Sequence, residues 1–135
     1  MKEINLEIIT PSKQAYKGIV KSITVPGSLG SFQVLFNHAP LLSTFEIGKI
    51  KIVNQADEET EFTTGGGTIE VIDNKILILA DSLETKEEID LERAKSSYQR
   101  AKERLANRKA DIDILRAEAS LQRALNRIKF VGGSI

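Results

Sequence analysis

The chain has 135 residues, of which 41% are hydrophobic and 28% are charged, and this composition is that of a globular protein rather than a disordered one. Nineteen basic residues balance nineteen acidic ones, so no net charge draws the chain to nucleic acid or to an anionic membrane. Because there is no cysteine, disulfides, thiolate nucleophiles and cysteine metal ligands are excluded.

The first part of the chain alternates apolar and polar residues as short β-strands do. The pattern begins at once, without the composition of a signal or transit peptide. Asp73-Asn74 is expected to form a two-residue hairpin turn. Short strands separated by turn signals predict a sandwich or barrel. The predicted strands cover residues 4–8, 20–25, 32–36, 47–53, 61–64, 68–72 and 75–80.

From Lys86 onward the apolar residues follow a helical period. A polar break at residues 107–111 divides this part in two, and small residues on the first helix are expected to face larger ones on the second, as in a close antiparallel pair. The predicted fold is an all-β sandwich over residues 1–84, followed by an antiparallel α-helical hairpin over residues 85–135. The two apolar stripes are Ala94, Tyr98, Ala101 and Leu105, and Ile114, Ala117, Leu121, Ala124, Leu125 and Ile128.

All seven arginines lie in the helical part, from Arg93 to Arg127. On the first helix three of them, together with Asp90 and Ser97, fall within an arc of about 80°, and on the second helix another three fall within about 40°. If the hairpin closes on its apolar stripes, the two cationic rows converge on one side, where guanidinium groups match phosphate oxygens. The alternative is a solvated face whose charges are neutralised by nearby glutamates. The rows are Arg93, Arg100 and Arg104, with Asp90 and Ser97, and Arg116, Arg123 and Arg127.

Two motifs suggest chemistry but have simpler interpretations. Gly65-Gly66-Gly67 lacks the lysine and hydroxyl of a phosphate-binding loop and precedes a strand, so it predicts a turn or a bulge between strands. His38 has no cysteine, serine or carboxylate neighbour in the sequence, which favours a structured loop over catalysis or metal binding. The sequence therefore predicts no catalytic residues, no metal site and no enzyme.

Several motifs in order along nearly the whole chain resemble the epsilon subunit family of bacterial F-type (F1Fo) ATP synthases. The resemblance implies a ten-stranded sandwich and a non-catalytic rotor subunit of a proton- or sodium-translocating enzyme. The segments that carry it are 27–30, 37–43, 48–52, 65–71, 79–82 and 89–94.

The resemblance also implies partners. The sandwich would couple the gamma subunit to the c-ring, and the mobile hairpin, when extended, would reach the alpha/beta catalytic hexamer. The chain would then be peripheral on the cytoplasmic face of the bacterial inner membrane, without inserting, since no apolar run approaches roughly 20 residues. Asn37 stands where the family commonly has glycine, and Phe36 where it has proline. The implied contact residues are Ser28, Leu29, Gly30, Ser31, His38, Ala39, Pro40, Leu41 and Leu42.

Some members of this family bind ATP on the folded hairpin through the motif Ile/Leu-Asp-x-x-Arg-Ala, which Ile89 to Ala94 match. The resemblance thus implies ATP as a regulatory ligand, with no required cofactor. Arginines would hold phosphates, Ile89 and Ala94 would contact adenine, and an acidic group would accept hydrogen bonds. Two alternatives stay open: a rotor subunit that does not sense nucleotide, and a stand-alone sandwich adaptor. The implied ATP-binding residues are Glu84, Ile89, Asp90, Arg93, Ala94, Arg100, Arg123 and Arg127.

Overall fold

A computed structural model describes residues 2–107 and 111–133. The chain forms two compact units, Met1–Glu84 and Thr85–Ile135. The second unit contains the helices α1 (Leu91–Asn107) and α2 (Asp111–Phe130). The strands of the first unit are β1 (Ile4–Ile9), β2 (Gln14–Gly27), β3 (Gly30–Val34), β4 (Leu41–Phe45), β5 (Gly48–Asn54), β6 (Glu59–Thr64), β7 (Gly67–Ile72), β8 (Lys75–Ala80) and β9 (Leu83–Glu84).

The predicted sandwich followed by two helices is confirmed, but the described residues form nine strands rather than the ten that the resemblance implied. The strands form one hydrogen-bonded sheet in the order β4-β7-β8-β1-β2-β5-β6-β9, and β3 pairs with β2. The 14-residue strand β2 joins the two layers, because its first half pairs with β1 and its second half with β3 and β5. A register shift between Val20 and Ser22 marks the point where it passes from one to the other.

Alternation along the strands produces the core. On β1 the side chains of Ile4, Leu6 and Ile8 are at most 2% exposed, and on β8 Ile76 and Ile78 face the same interior. Fully burying such a side chain contributes about 1.5–3 kcal/mol relative to leaving it in water. The core is therefore assembled from every second residue of the strands, as the sequence pattern predicts.

The predicted hairpin turn at Asp73-Asn74 is confirmed, and the glycine run is a connection between two strands that do not pair with each other. Asp73 and Asn74 have φ angles of 49° and 60° and connect Ile72 to Lys75, which are paired across β7 and β8, as in a type I′ hairpin. In the glycine run, Gly66 has a φ of 100° and connects β6 to β7. These residues tolerate the left-handed backbone that the turns need.

Two strands were not predicted. β4 begins with two apolar residues, Leu41 and Leu42. Because neighbouring residues of a strand point to opposite faces, this pair breaks the alternation of apolar and polar residues. It pairs only with β7 and is therefore an edge strand. β9 has two residues, which is too short for any periodicity to appear.

The predicted apolar stripes of the hairpin are confirmed. Ala94 and Ala101 of α1 are buried, as are Ala117, Ala124 and Ile128 of α2. The expectation that small residues on α1 meet larger ones on α2 is wrong at Ala117 and Ala124, since alanine lies at the contact on both helices. Small side chains on both sides allow the two helix backbones to approach closely. Part of the predicted polar break, residues 108–110, lies outside the described residues.

The start of α1 and the end of α2 lie together. After α2 the chain closes a Schellman motif, in which Gly132 N–H donates to Lys129 O at 3.0 Å and Gly133 N–H donates to Ile128 O at 2.9 Å. Gly132 has the left-handed φ of 76° that this motif requires. A Cβ at Gly133 would lie 3.0 Å from Leu91 Cδ1, so Gly133 packs against the first residue of α1.

Candidate functional site

The first predicted contact segment, residues 28–31, forms the tip of the β2–β3 hairpin. Gly27 pairs with Gly30, which leaves Ser28 and Leu29 in the turn. The Leu29 side chain is fully exposed, at 103% of its reference area. A large apolar side chain at a hairpin tip makes no core contact, so it is available to a partner.

The second predicted contact segment, residues 38–42, contains the end of the β3–β4 loop and the first two residues of β4. His38 N–H donates to Leu35 O at 3.2 Å, and the His38 Nδ1 atom lies 2.7 Å from Ala39 O. This part of the chain is therefore a structured loop, as predicted for His38. Leu42, the second residue of β4, is 76% exposed and points away from the core.

These two segments lie at opposite ends of β3. The strand runs from Gly30 at the hairpin tip to Val34, just before the loop, and spans about 13 Å at about 3.3 Å per residue. The predicted contact residues therefore form two separate patches: the tip (residues 28–31) and the loop patch (residues 38–42).

An exposed apolar face on the sheet was not predicted. Ile72 and Leu79 are each 48% exposed and Ile19 is 41% exposed, and Leu77 is half-buried. A groove of about 470 Å³ runs along Ile19, Ile72 and Leu77. The groove has acidic and basic residues along it: Glu7, Lys17, Glu70 and Lys75.

This outer face, defined by Ile19, Ile72, Leu77 and Leu79, joins the loop patch, because Leu42 pairs with Glu70, which in turn pairs with Leu77. The sequence of β8 contains a signal for this outer face. Residues 76–79 are four consecutive large apolar residues, which means that both faces of β8 are apolar. β8 pairs parallel with β1 and antiparallel with β7, and the run predicts apolar side chains on its outer face as well as on its inner one.

The arginine rows lie on one side of the hairpin. Around α1, Ala94 and Ala101 lie about 80–100° ahead of Arg93. Around α2, Ala117 and Ala124 lie the same angle ahead of Arg116, about 80–100°. The buried alanines of the two helices face each other, and the helices run antiparallel. Since each arginine row is rotated from its alanines by the same angle in the same direction, both rows lie on the same side of the hairpin.

Three of these arginines have no carboxylate partner among the described residues. Arg100 and Arg123 each donate to a serine of their own helix, Ser97 and Ser120, both at 3.2 Å. Over residues 2–107 and 111–133, the guanidinium groups of Arg93, Arg100 and Arg123 form no ion pair with a described carboxylate. Arg93 and Arg100 are exposed and Arg123 is half-buried, so the alternative of a solvated face stays open.

Other residues predicted to bind ATP have structural roles. Asp90 caps α1, since its carboxylate accepts a hydrogen bond from Arg93 N–H at 3.1 Å. Ala94 is 4% exposed, so it packs the helix pair and offers little surface to adenine. Ile89 is half-buried. Glu84 is half-buried in the first unit, where β9 pairs it with Thr63.

The described helices include none that is long and apolar enough to span a bilayer. Among the same residues, no group of three or more histidine, aspartate or glutamate side chains is placed to hold a metal ion.

Family models match both units of the chain. Residues 3–86 match the β-sandwich domain of the ATP synthase delta/epsilon chain, and residues 87–132 match its long α-helix domain. An ATP synthase epsilon chain from Pelotomaculum thermopropionicum is 47% identical over 127 residues and covers 94% of both chains. One from Salinibacter ruber is 40% identical over 111 residues, covering 76% of this chain and 74% of the relative.

Solved structures have the same fold at low identity. A chain of the Euglena gracilis mitochondrial ATP synthase, solved with OSCP, F1 and the c-ring, aligns with a TM-score of 0.81 at 18% identity and covers 93% of this chain and 79% of that one. A chain from the central stalk and c-ring of the Tetrahymena thermophila enzyme aligns with a TM-score of 0.61 at 16% identity, covering 95% and 96%. From the family models and the close bacterial relatives, the chain belongs to the ATP synthase delta/epsilon family.

Proposed function

We propose that this chain is a non-catalytic rotor subunit of a bacterial F-type ATP synthase, which couples the gamma subunit to the c-ring and regulates ATP hydrolysis through its hairpin. The observation that carries the coupling role is the exposed apolar surface of the sandwich, at the tip, the loop patch and the outer face. Relatives that are 40–47% identical are named ATP synthase epsilon chains, which supports the same role here.

A subunit that couples two partners needs two contact surfaces, and we assign the tip and the loop patch of the sandwich to them. The tip and the loop patch are separated by the length of β3, so one can contact the c-ring while the other contacts gamma. The outer face continues the loop patch and enlarges the second surface. Covering Leu29 or Leu42 would contribute about 1.5–3 kcal/mol each if the side chain becomes fully buried. The chain would then be held at the cytoplasmic face of the inner membrane by its partners.

The hairpin is the proposed regulatory element. Arg93, Arg100, Arg123 and Arg127 lie in rows on one side of it and would bind the phosphates of ATP. ATP that binds only the folded hairpin stabilises it by about 2.7 kcal/mol at a hundredfold excess over Kd. The extended hairpin would instead contact the alpha/beta hexamer, so ATP shifts the population away from the inhibitory form.

Isothermal titration of the full chain with ATP tests the nucleotide site. We expect saturable binding that Arg93→Ala and Arg123→Ala each weaken about tenfold or more, since each removes a charged hydrogen-bond donor. Arg104→Ala and Arg116→Ala are matched controls, one on each helix, because these arginines lie in the same rows outside the implied site. Unchanged ATP affinity in both test variants would contradict the proposed ATP site.

A rotor subunit that does not sense nucleotide is the second candidate, and the buried Ala94 and the capping role of Asp90 favour it. In that case the titration gives no saturable heat. The non-catalytic role has its own test: hydrolysis of ATP by the purified chain, at a rate proportional to its concentration, would contradict it.

A further inference from the structure

Two asparagines that are distant in the sequence bind each other reciprocally. Asn37 N–H donates to Asn74 Oδ1 at 2.6 Å, and Asn74 Nδ2 donates to Asn37 Oδ1 at 3.0 Å. Asn37 lies in the loop between β3 and β4, and Asn74 lies in the turn between β7 and β8. We call this pair of hydrogen bonds the asparagine clasp.

The Asn74 side of the clasp is fixed to the sheet. Asn74 is the second residue of the tight β7–β8 turn, with a φ of 60°. Its carbonyl accepts a hydrogen bond from Asn5 N–H of β1 at 2.9 Å. Asn74 is thus held by β1 as well as by the strands of its own hairpin, and its side chain extends from a rigid support.

The Asn37 side belongs to a segment that needs such support. Residues 35–40 connect β3, which pairs with β2, to β4, which pairs with β7 at the other edge of the sheet. Asn37 has a φ of 61°, a left-handed conformation that asparagine adopts more readily than most residues. Within the loop the backbone hydrogen bond from His38 to Leu35 closes one turn. The clasp ties that turn to the sheet.

We propose that Asn74 is a positioning residue for partner binding: through Asn37 it holds the loop patch, residues 38–42, in the conformation that a rotor partner contacts. This inference rests on the proposed coupling function. A loop that is ordered before binding loses less conformational entropy on association than a mobile one, so the clasp raises affinity without itself touching the partner. Asn74 acts through Asn37, and the contact is made by residues such as Leu42.

Asn74→Gly is the informative variant, since glycine accepts the left-handed turn and removes only the side chain. Asp73→Gly is its matched control, because Asp73 occupies the other left-handed position of the same turn, with a φ of 49°. Asn37→Gly removes only the hydrogen bond that Asn74 Nδ2 donates, because the backbone N–H at position 37 can still donate to Asn74 Oδ1. It therefore breaks half of the clasp, in a variant that leaves the β7–β8 turn intact.

The first measurement is amide hydrogen exchange at Asn37 in the full chain, followed by NMR. Asn74→Gly is expected to speed exchange about tenfold or more, because the amide loses its acceptor, whereas Asp73→Gly leaves it unchanged. Unchanged exchange in Asn74→Gly would overturn the clasp, whatever the partner.

The second measurement is the affinity of the full chain for a purified rotor complex of gamma and c-ring. We expect Asn74→Gly to bind about tenfold more weakly than Asp73→Gly, at similar melting temperature. Asn37→Gly, which keeps one of the two hydrogen bonds, should have an affinity between them. Leu42→Lys is measured beside them. If Leu42→Lys weakens binding and the clasp variants do not, the positioning role is wrong and the proposed function stands. If Leu42→Lys and both clasp variants all bind as the parent does, the loop patch is not a partner contact. The positioning role is then wrong, and so is the part of the proposed function that assigns this patch to a partner.

Discussion

The Asp90 carboxylate accepts a hydrogen bond from the backbone N–H of Arg93 at 3.1 Å. Ala94 N–H donates to Asp90 O at 3.0 Å, so Asp90 occupies the N-cap position of α1. Asp90 and Arg93 both belong to the implied ATP motif. The motif therefore contains a helix start as well as a proposed ligand site, and a variant of Asp90 tests both.

Asp90→Ala and Asp90→Asn separate these properties. Alanine removes the cap and should cost about 1 kcal/mol of helix stability, whereas asparagine caps as well as aspartate and removes only the charge. The measurement is hydrogen exchange at Arg93, together with ATP titration of the full chain. Weaker ATP binding in Asp90→Asn with unchanged exchange assigns the carboxylate to the ligand; parental binding in that variant would leave Asp90 as a cap alone.

Ala101→Leu should destabilise the hairpin. Ala101 is 2% exposed on the α1 face that packs against α2, and the added carbons must displace the facing helix, at a cost of about 1–3 kcal/mol. Ala106→Leu is the matched control, because Ala106 is exposed on the same helix. Thermal unfolding followed by circular dichroism at 222 nm compares them. Equal melting of the two variants would show that Ala101 does not lie at a close helix contact.

The sequence predicted what depends on local periodicity and missed what depends on tertiary pairing. The stripe that buries Ala94 and Ala101 and the turn at Asp73-Asn74 follow from rules that act within a few residues. Strand β4 was missed, because Leu41 and Leu42 gain their order from pairing with β7, which is distant in the sequence.

At the candidate site, too, local periodicity could be predicted and contacts between distant residues could not. Helical geometry was enough to place the arginines on one side. It could not show that Ala94 would be buried or that the Asp90 carboxylate would be used by the helix cap, since both depend on neighbours in space. The outer face has a signal in the consecutive apolar residues 76–79, but a run of this length is equally typical of a strand that is buried on both faces.

Gly67→Ala should disrupt the pairing of β7 with β8. A Cβ at Gly67 would lie 2.0 Å from Leu79 O, a backbone atom that cannot move without breaking the ladder. We expect a loss of about 3 kcal/mol in the free energy of unfolding, at the upper end of overpacking effects. Gly18→Ala is the control, since its Cβ would meet only Tyr16 at 3.4 Å or more. Urea denaturation measures both, and equal midpoints would contradict the close approach at Gly67.

Leu79→Lys tests whether the outer face is a partner surface. Leu79 is 48% exposed and lies outside the core, so a lysine there should keep its charge in water and leave the sandwich folded. Against a purified gamma and c-ring complex, burying that charge should weaken association about tenfold or more. Leu115→Lys is the control, because Leu115 is an exposed leucine on α2. Surface plasmon resonance compares the two chains at equal melting temperature. If Leu79→Lys binds as tightly as Leu115→Lys, the groove beside Leu77 is not covered in the rotor, and the coupling contacts are confined to the tip and the loop patch.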